Sequence, residues 1–213
     1  MKPYYFFLGL LLSGCASTLE TSGFLQNASV MSEGAFFKQE YFPAGEDLSG
    51  YASVQVRSAD LSYLKDASEH TRSDLVKVAG ELSRSLEEGL SKAGFQVLPA
   101  SEKPGPGTLV VSPALVSLGT PERTLNAVTS VLIWTPVTVG SAGFAAKLLD
   151  GESGALLGEI AEKNKGGSGG AKSLTVGAYT KYTHAEAAFD TWGGRLAEML
   201  RARGMRAGRS EAA

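Results

Sequence analysis

The sequence predicts an α+β fold: a two-layer sandwich with a mostly antiparallel sheet of about five strands and two amphipathic helices on one face. Three observations lead there. Two segments, around residues 72–93 and 183–203, repeat apolar residues every three or four positions. Short β-rich runs bounded by Gly- and Pro-bearing turns fill the chain around them. The order is strand, helix, strand, strand, insertion, strand, strand, helix. Its short connections favour antiparallel neighbours.

Taken in order, residues 51–60 alternate, with Val54 and Val56 on one face and Gln55 and Arg57 on the other. Leu75, Ala79, Leu82, Leu86, Leu90 and Ala93 then draw one helical stripe. Thr71 with Asp74 resembles a capping box, and Gly94 stands where a left-handed C-terminal residue belongs. Residues 95–98 are a short strand, Pro104-Gly105-Pro106-Gly107 a rigid turn, and residues 108–118 a long strand. Residues 142–149 and 155–162 flank Asp150-Gly151-Glu152-Ser153-Gly154, which has the composition of a hairpin loop. Residues 163–172 are Gly-rich and polar. The last helix opens near Thr183 with a Thr183-x-x-Glu186 box, buries Ala185, Ala188, Phe189, Trp192, Leu196, Met199 and Leu200, and stops at Gly204.

The start of the chain addresses location. Lys2 supplies a positive n-region, Tyr4 to Leu12 are an apolar run too short to span a bilayer, and Leu12-Ser13-Gly14-Cys15 follows. This is the layout of a bacterial lipobox, in which the Cys15 thiol accepts a diacylglycerol and becomes the new N-terminus. Cys15 is the one cysteine of the chain, and a thiol is the nucleophile that such acylation needs. Each buried methylene contributes about 0.8 kcal/mol, so two or three acyl chains hold almost permanently. Ala16 and Ser17 follow in place of an aspartate that would favour inner-membrane retention. The expected site is therefore the outer membrane, lipid-anchored, on its periplasmic face.

The expected organisation is a signal peptide over 1–14, acylated Cys15 with a tether over 15–48, one α+β domain over 49–204, and a disordered tail over 205–213. Phe24, Phe36, Phe37, Tyr41 and Phe42 would be costly in a free linker, so at least some are expected to dock, with the later half of the tether lying across the domain surface. A formal net charge of −2 leaves no electrostatic footprint for nucleic acid. Once Cys15 is acylated the chain has no thiol for a disulfide, so stability rests on a packed core, which 43% hydrophobic residues supply.

Several pieces in this order resemble a bacterial lipoprotein family known as domain of unknown function 3313. They are the lipobox ending in Cys15, Ser22-Gly23-Phe24-Leu25, Tyr51, Pro104-Gly105-Pro106-Gly107-Thr108-Leu109, Leu125-Asn126-Ala127-Val128, and Ala187-Ala188-Phe189-Asp190-Thr191-Trp192. The Gly-rich stretch is longer here than that pattern has it. The resemblance implies an envelope lipoprotein with an α/β domain; it supplies no activity and no catalytic residues.

Residue chemistry points the same way. His70 and His184 each stand at a helix start, where a histidine is expected to be a solvated end residue, and no Gly-x-Ser-x-Gly elbow accompanies them. Two histidines without a flanking cysteine or His-Glu pair give no zinc signature. Gly166-Gly167-Ser168-Gly169-Gly170 lacks the Gly-Lys-Ser/Thr ending of a phosphate loop. Asp150 and Glu152 read as a solvated turn. Arg201, Arg203, Arg206 and Arg209 suit a helix end and a solvated tail, with contact to an anionic cell-wall polymer as the competing reading. No cofactor and no metal are expected.

Between Arg123 and Lys147 there is no charged side chain. Pro136, Gly140 and several Thr interrupt this stretch too often for a membrane helix. Two readings stay open: a buried loop running into the next strand, or an apolar insertion that touches lipid, an envelope protein or a second copy. Ile133, Trp134 and Val137 would carry that interaction surface. The expected function is a non-enzymatic binding or assembly module of the envelope. The competing classes are an envelope hydrolase with an unrecognised site and a carrier of an apolar ligand.

Overall fold

Thr71 has extended backbone and its hydroxyl accepts the Asp74 N–H, which starts helix α1, Arg72–Lys92. The computed structural model describes residues 23–65, 67–119, 141–164 and 183–208. Its strands are β1 Gln39–Tyr41, β2 Ser53–Val56, β3 Gln96–Leu98, β4 Thr108–Gly119, β5 Ser141–Asp150 and β6 Leu156–Asn164; helix α2 is Thr183–Ala202. Both helices stop in the same way. Gly94 and Gly204 take positive φ, and the next residue, Phe95 or Met205, donates its N–H back to Leu90 or Leu200.

The strands form one sheet in the order β1-β6-β5-β4-β2-β3. Two expectations need correction. Among the described residues the sheet has six strands, because β1 lies within the stretch read as a tether, where three residues leave no alternating pattern to see. It is also mixed: β2 pairs in parallel with both β3 and β4, while the other neighbours are antiparallel. The crossover through α1 makes β2 and β3 parallel. The second parallel pair arises because β2 and β3 are so short that residues 99–107 can run back along them without a helix. That return lies on the face away from the helices, where the Gln55 amide donates to the carbonyls of Pro99 and Glu102 at 2.8 and 2.7 Å.

The helices share the other face, as expected. Every apolar position of the α2 stripe is buried, and on α1 Val78 and Ser85 are buried besides the leucines. Phe144 of β5 stacks on Trp192 of α2 at 4.5 Å and meets Phe37 edge-on at 5.7 Å. Phe37 is 1% exposed, so the aromatic stretch before β1 contributes directly to the main core.

The helices touch backbone to backbone. A methyl group added at Gly89 would lie 2.6 Å from Gly193 Cα, and one at Gly193 would lie 3.1 Å from the Ser85 carbonyl carbon. Beside this crossing the Ser85 hydroxyl donates to Asp190 at 2.8 Å. Gly193→Val is expected to lower unfolding free energy by about 2–3 kcal/mol through overpacking. Gly194→Ala, on the same helix with open space around it, should instead raise it by up to about 1 kcal/mol. Urea unfolding of the two variants checks this; equal effects would show that helix propensity alone decides.

Candidate functional site

Alternation along the strands gives the sheet a second face. Ala114, Val116, Ala145 and Ala161 are buried there. Their small side chains leave depth for larger ones, and the segment 23–31 supplies them. Phe24 and Leu25 are 6% and 5% exposed, Ala28 and Met31 pack beside them, and Tyr63 meets the Phe24 ring edge-on at 5.1 Å. The segment is a strap across the face opposite the helices.

Glu159 holds it. This residue stands mid-strand on β6 and is fully buried. One carboxylate oxygen accepts the Gln26 N–H at 2.7 Å and the other the Asn27 N–H at 2.8 Å. A buried carboxylate costs several kcal/mol unless its lone pairs are used, and two charge-assisted bonds use them. Lys147 is the cross-strand partner of Glu159, and its ammonium lies 4.7 Å from the Phe24 ring centre. Two directly paired positions thus grip the strap at Phe24 and at Gln26-Asn27.

The strap leads into β1 through a second carboxylate contact. One Glu40 oxygen accepts the N–H groups of Phe36 and Phe37 at 2.9 and 2.8 Å, and Ser32 bridges Glu40 along the backbone. Arg203 approaches Glu40 at 4.0 Å and lies 3.2 Å over the Phe42 ring. Burial pushes its guanidinium below the ordinary arginine value. Nearby, an open polar groove of about 440 Å³ is lined by residues 33–38, Glu162, Arg195 and Glu198. Glu162 closes it on one side, accepting from Arg195 at 3.2 Å and from the Lys38 N–H at 3.1 Å.

Cys15, Ile133, Trp134, Val137, Gly166–Gly170, Arg209 and the His184 side chain lie outside the described residues. His70 differs from expectation. Its Nε2 is 2.9 Å from the Leu118 carbonyl oxygen and it is half-buried, so it ties the start of α1 to the end of β4. Asp150 is committed to the turn: it accepts the Ser153 N–H and hydroxyl at 2.7 and 2.6 Å and the Tyr51 hydroxyl at 3.1 Å. The Ser153 hydrogen bonds hold its carboxyl below the usual carboxylate range, while burial, with Asp150 beside it, pushes the Tyr51 phenol up to about 12. Arg201 donates to the Ala93 carbonyl, joining the ends of the two helices. Among the described residues no three His, Cys, Asp or Glu converge to hold a metal ion, and no helix is long and apolar enough to cross a membrane.

Helix pair on one sheet face and latched strap on the other define the class: a mixed-sheet α+β sandwich closed by its own N-terminal segment. The chain belongs to the family described as protein of unknown function (DUF3313), whose model matches residues 20–196. No curated protein matches it. Among solved structures it is similar to a PelC dodecamer from Paraburkholderia phytofirmans, at 12% identity over 73% of this chain and 96% of that one, with TM-score 0.44. It is also similar to lipoprotein GNA1162 from Neisseria meningitidis, at 17% identity over 55% and 82% of the two chains, with TM-score 0.35. A third is a putative neuraminyllactose-binding hemagglutinin homolog from Helicobacter pylori, at 9% identity over 76% and 91%, with TM-score 0.33.

Glu159→Gln should free the strap while leaving the helix side of the sheet intact. Losing two charge-assisted bonds predicts amide exchange at residues 24–28 faster by on the order of 100-fold. Unchanged exchange would show that Phe24 and Leu25 hold the strap unaided.

Proposed function

We propose that this chain is a lipid-anchored lipoprotein on the periplasmic face of the outer membrane, acting as a non-enzymatic binding or assembly module of the cell envelope. The observation that carries this reading is the continuity between lipobox and body. The one cysteine of the chain ends Leu12-Ser13-Gly14-Cys15, and by Phe24 the polypeptide is already latched to the sheet. So short a leash suits a body held close to a bilayer rather than one ranging far from it.

The working surface in this proposal is the uncharged stretch between Arg123 and Lys147, with Ile133, Trp134 and Val137 as its contacts to an envelope protein or a second copy. Its place in the fold supports this. The chain leaves β4 at Gly119 and re-enters β5 at Ser141, and those two residues are register partners at one end of the sheet. Asn164, after which the Gly-rich stretch begins, pairs with Ala142 at the same end. Both unusual segments therefore start from the same end of the sheet.

Two experiments test the proposal. Cys15→Ala is expected to abolish fatty-acid labelling and leave the precursor with its leader; labelling that persists overturns the anchor. Ile133→Glu with Trp134→Glu is expected to keep the thermal unfolding midpoint while in-cell crosslinks to neighbours disappear. A folded variant with undiminished crosslinks removes this stretch as the contact surface.

A further inference from the structure

Arg57, Ser112, Lys147 and Glu159 form one row across the strapped face. Val56 pairs with Val111 and the Arg57 N–H bonds the Val111 carbonyl at 2.9 Å, so Arg57 extends β2 beside Ser112. Ser112 pairs with Lys147, and Lys147 with Glu159. Alternation places Arg57 on the same face as Gln55, whose amide bonds the 99–102 loop there. With strands about 4.8 Å apart, the Arg57 and Lys147 positions stand about 10 Å apart with a hydroxyl between them.

This row lies between two covers. The strap occupies the sheet on one side of it and the 99–102 loop the other. Arg57 is exposed, and Ser112 and Lys147 are half-buried. The carboxylate of the row, Glu159, is fully buried with both oxygens taken by strap N–H groups. Asp60, close by at the bridge to Ala114, accepts the Ser62 N–H at 2.8 Å. Exposed Lys163 lies further along the same face of β6. Along the row itself the side chains that water reaches are cationic, with half-buried Asp60 and exposed Glu102 flanking them, in a chain whose formal net charge is −2.

We propose that the Arg57–Ser112–Lys147 row receives the phosphate of anionic phospholipid headgroups, turning the strapped face toward the bilayer. The orientation rests on the anchored reading above. Cys15 precedes Phe24 by nine residues, a reach of at most about 30 Å, and the Phe24 ring lies against the Lys147 ammonium. The leash thus ends on the cationic face, and charge complementarity selects a lipid phosphate as its occupant. A guanidinium and an ammonium on either side of a hydroxyl match phosphate oxygens as donors.

The test uses the mature chain from residue 15 carrying Cys15→Ser, made without the leader and so unacylated. It is co-sedimented with vesicles of phosphatidylglycerol and phosphatidylethanolamine, and separately with phosphatidylcholine vesicles. Each basic residue near an anionic surface contributes about fivefold, so the anionic vesicles should bind roughly 20-fold more tightly, with the preference fading as salt rises. Arg57→Gln with Lys147→Gln should remove the preference, and Lys77→Gln on α1 should not. Because Lys147 also touches the strap, Arg57→Gln alone provides a second reading, with an expected loss of about fivefold. Equal binding to both vesicles, or an unaffected double variant, overturns the proposal. Binding of inorganic phosphate without any vesicle preference overturns the headgroup assignment in favour of a free anion. Vesicle selectivity together with absent fatty-acid labelling at Cys15 supports the row and overturns the anchor.

Discussion

The contact between Gly89 and Gly193 sets the dimensions of the molecule. Helices with ordinary side chains between them lie about 8–10 Å apart, and two glycines facing each other hold a pair at the close end of that range or below it. The narrow pair can then sit over the middle of the sheet, α1 against β2 and β3 and α2 against β5, with Trp192 stacked on Phe144 beneath it. A six-stranded sheet is about 24 Å across, so one pair of close helices does not cover it from edge to edge. The margin near β1 and β6 is filled by Phe37 and Phe42 from the N-terminal segment. The early aromatics are therefore part of the core because the helices approach so closely.

A sheet covered on one face by helices still has to cover or solvate the other. Antiparallel sheets often leave that face wet, with polar residues alternating outward. Here β4, β5 and β6 place alanine and valine on it, which makes a wet face costly, and the chain folds its own N-terminal segment back to cover them. The strap brings backbone N–H groups with it, and a buried face offers them no strand edge. Glu159 resolves that mismatch by accepting both, so one carboxylate satisfies two amides that would otherwise lose water without replacement.

Most of the architecture was legible in the sequence for a plain reason. Both helices run five turns or more, and apolar periodicity, a Thr71 cap and terminal glycines agree over that length. The five strands after residue 50 were legible from alternation and turns. What escaped detection lacks period or local partners. Three-residue β1 carries Glu40 at its centre, which resembles a loop residue until its oxygen is seen gathering the Phe36 and Phe37 N–H groups. Glu159 sits in Leu-Leu-Gly-Glu-Ile-Ala-Glu-Lys, where a mid-strand carboxylate reads as the solvent side of an alternating strand. Its partners lie more than 130 residues away, and nothing local announces them. Of the residues singled out for function, Phe24 was visible only as one of five early aromatics of which some would dock. Its place in the earlier half of the tether, which was not expected to lie on the domain, is a difference. Lys147 and Arg57 were not visible, because their alignment exists only through register.

Strap and row together bear on why the proposed anchor would be followed by a latched segment instead of a long flexible linker. A long leash lets a body tumble, and then no face is presented to the membrane more than another. Loop entropy grows only slowly with length, so shortening a leash contributes little stability by itself. What it does is restrict orientation: with the proposed acyl group on Cys15, a chain pinned at Phe24, at most about 30 Å of extended backbone away, could turn few of its surfaces toward the bilayer. The segments after Gly119 and Asn164 both begin at one end of the sheet, the end toward which β4 and β6 run. In the proposed orientation, with the strapped face on the bilayer, that end would be held at a defined height above the lipid. Under the proposed anchoring the latch would do more than close the fold: it would convert a flexible lipid attachment into a fixed presentation of one end of the sheet.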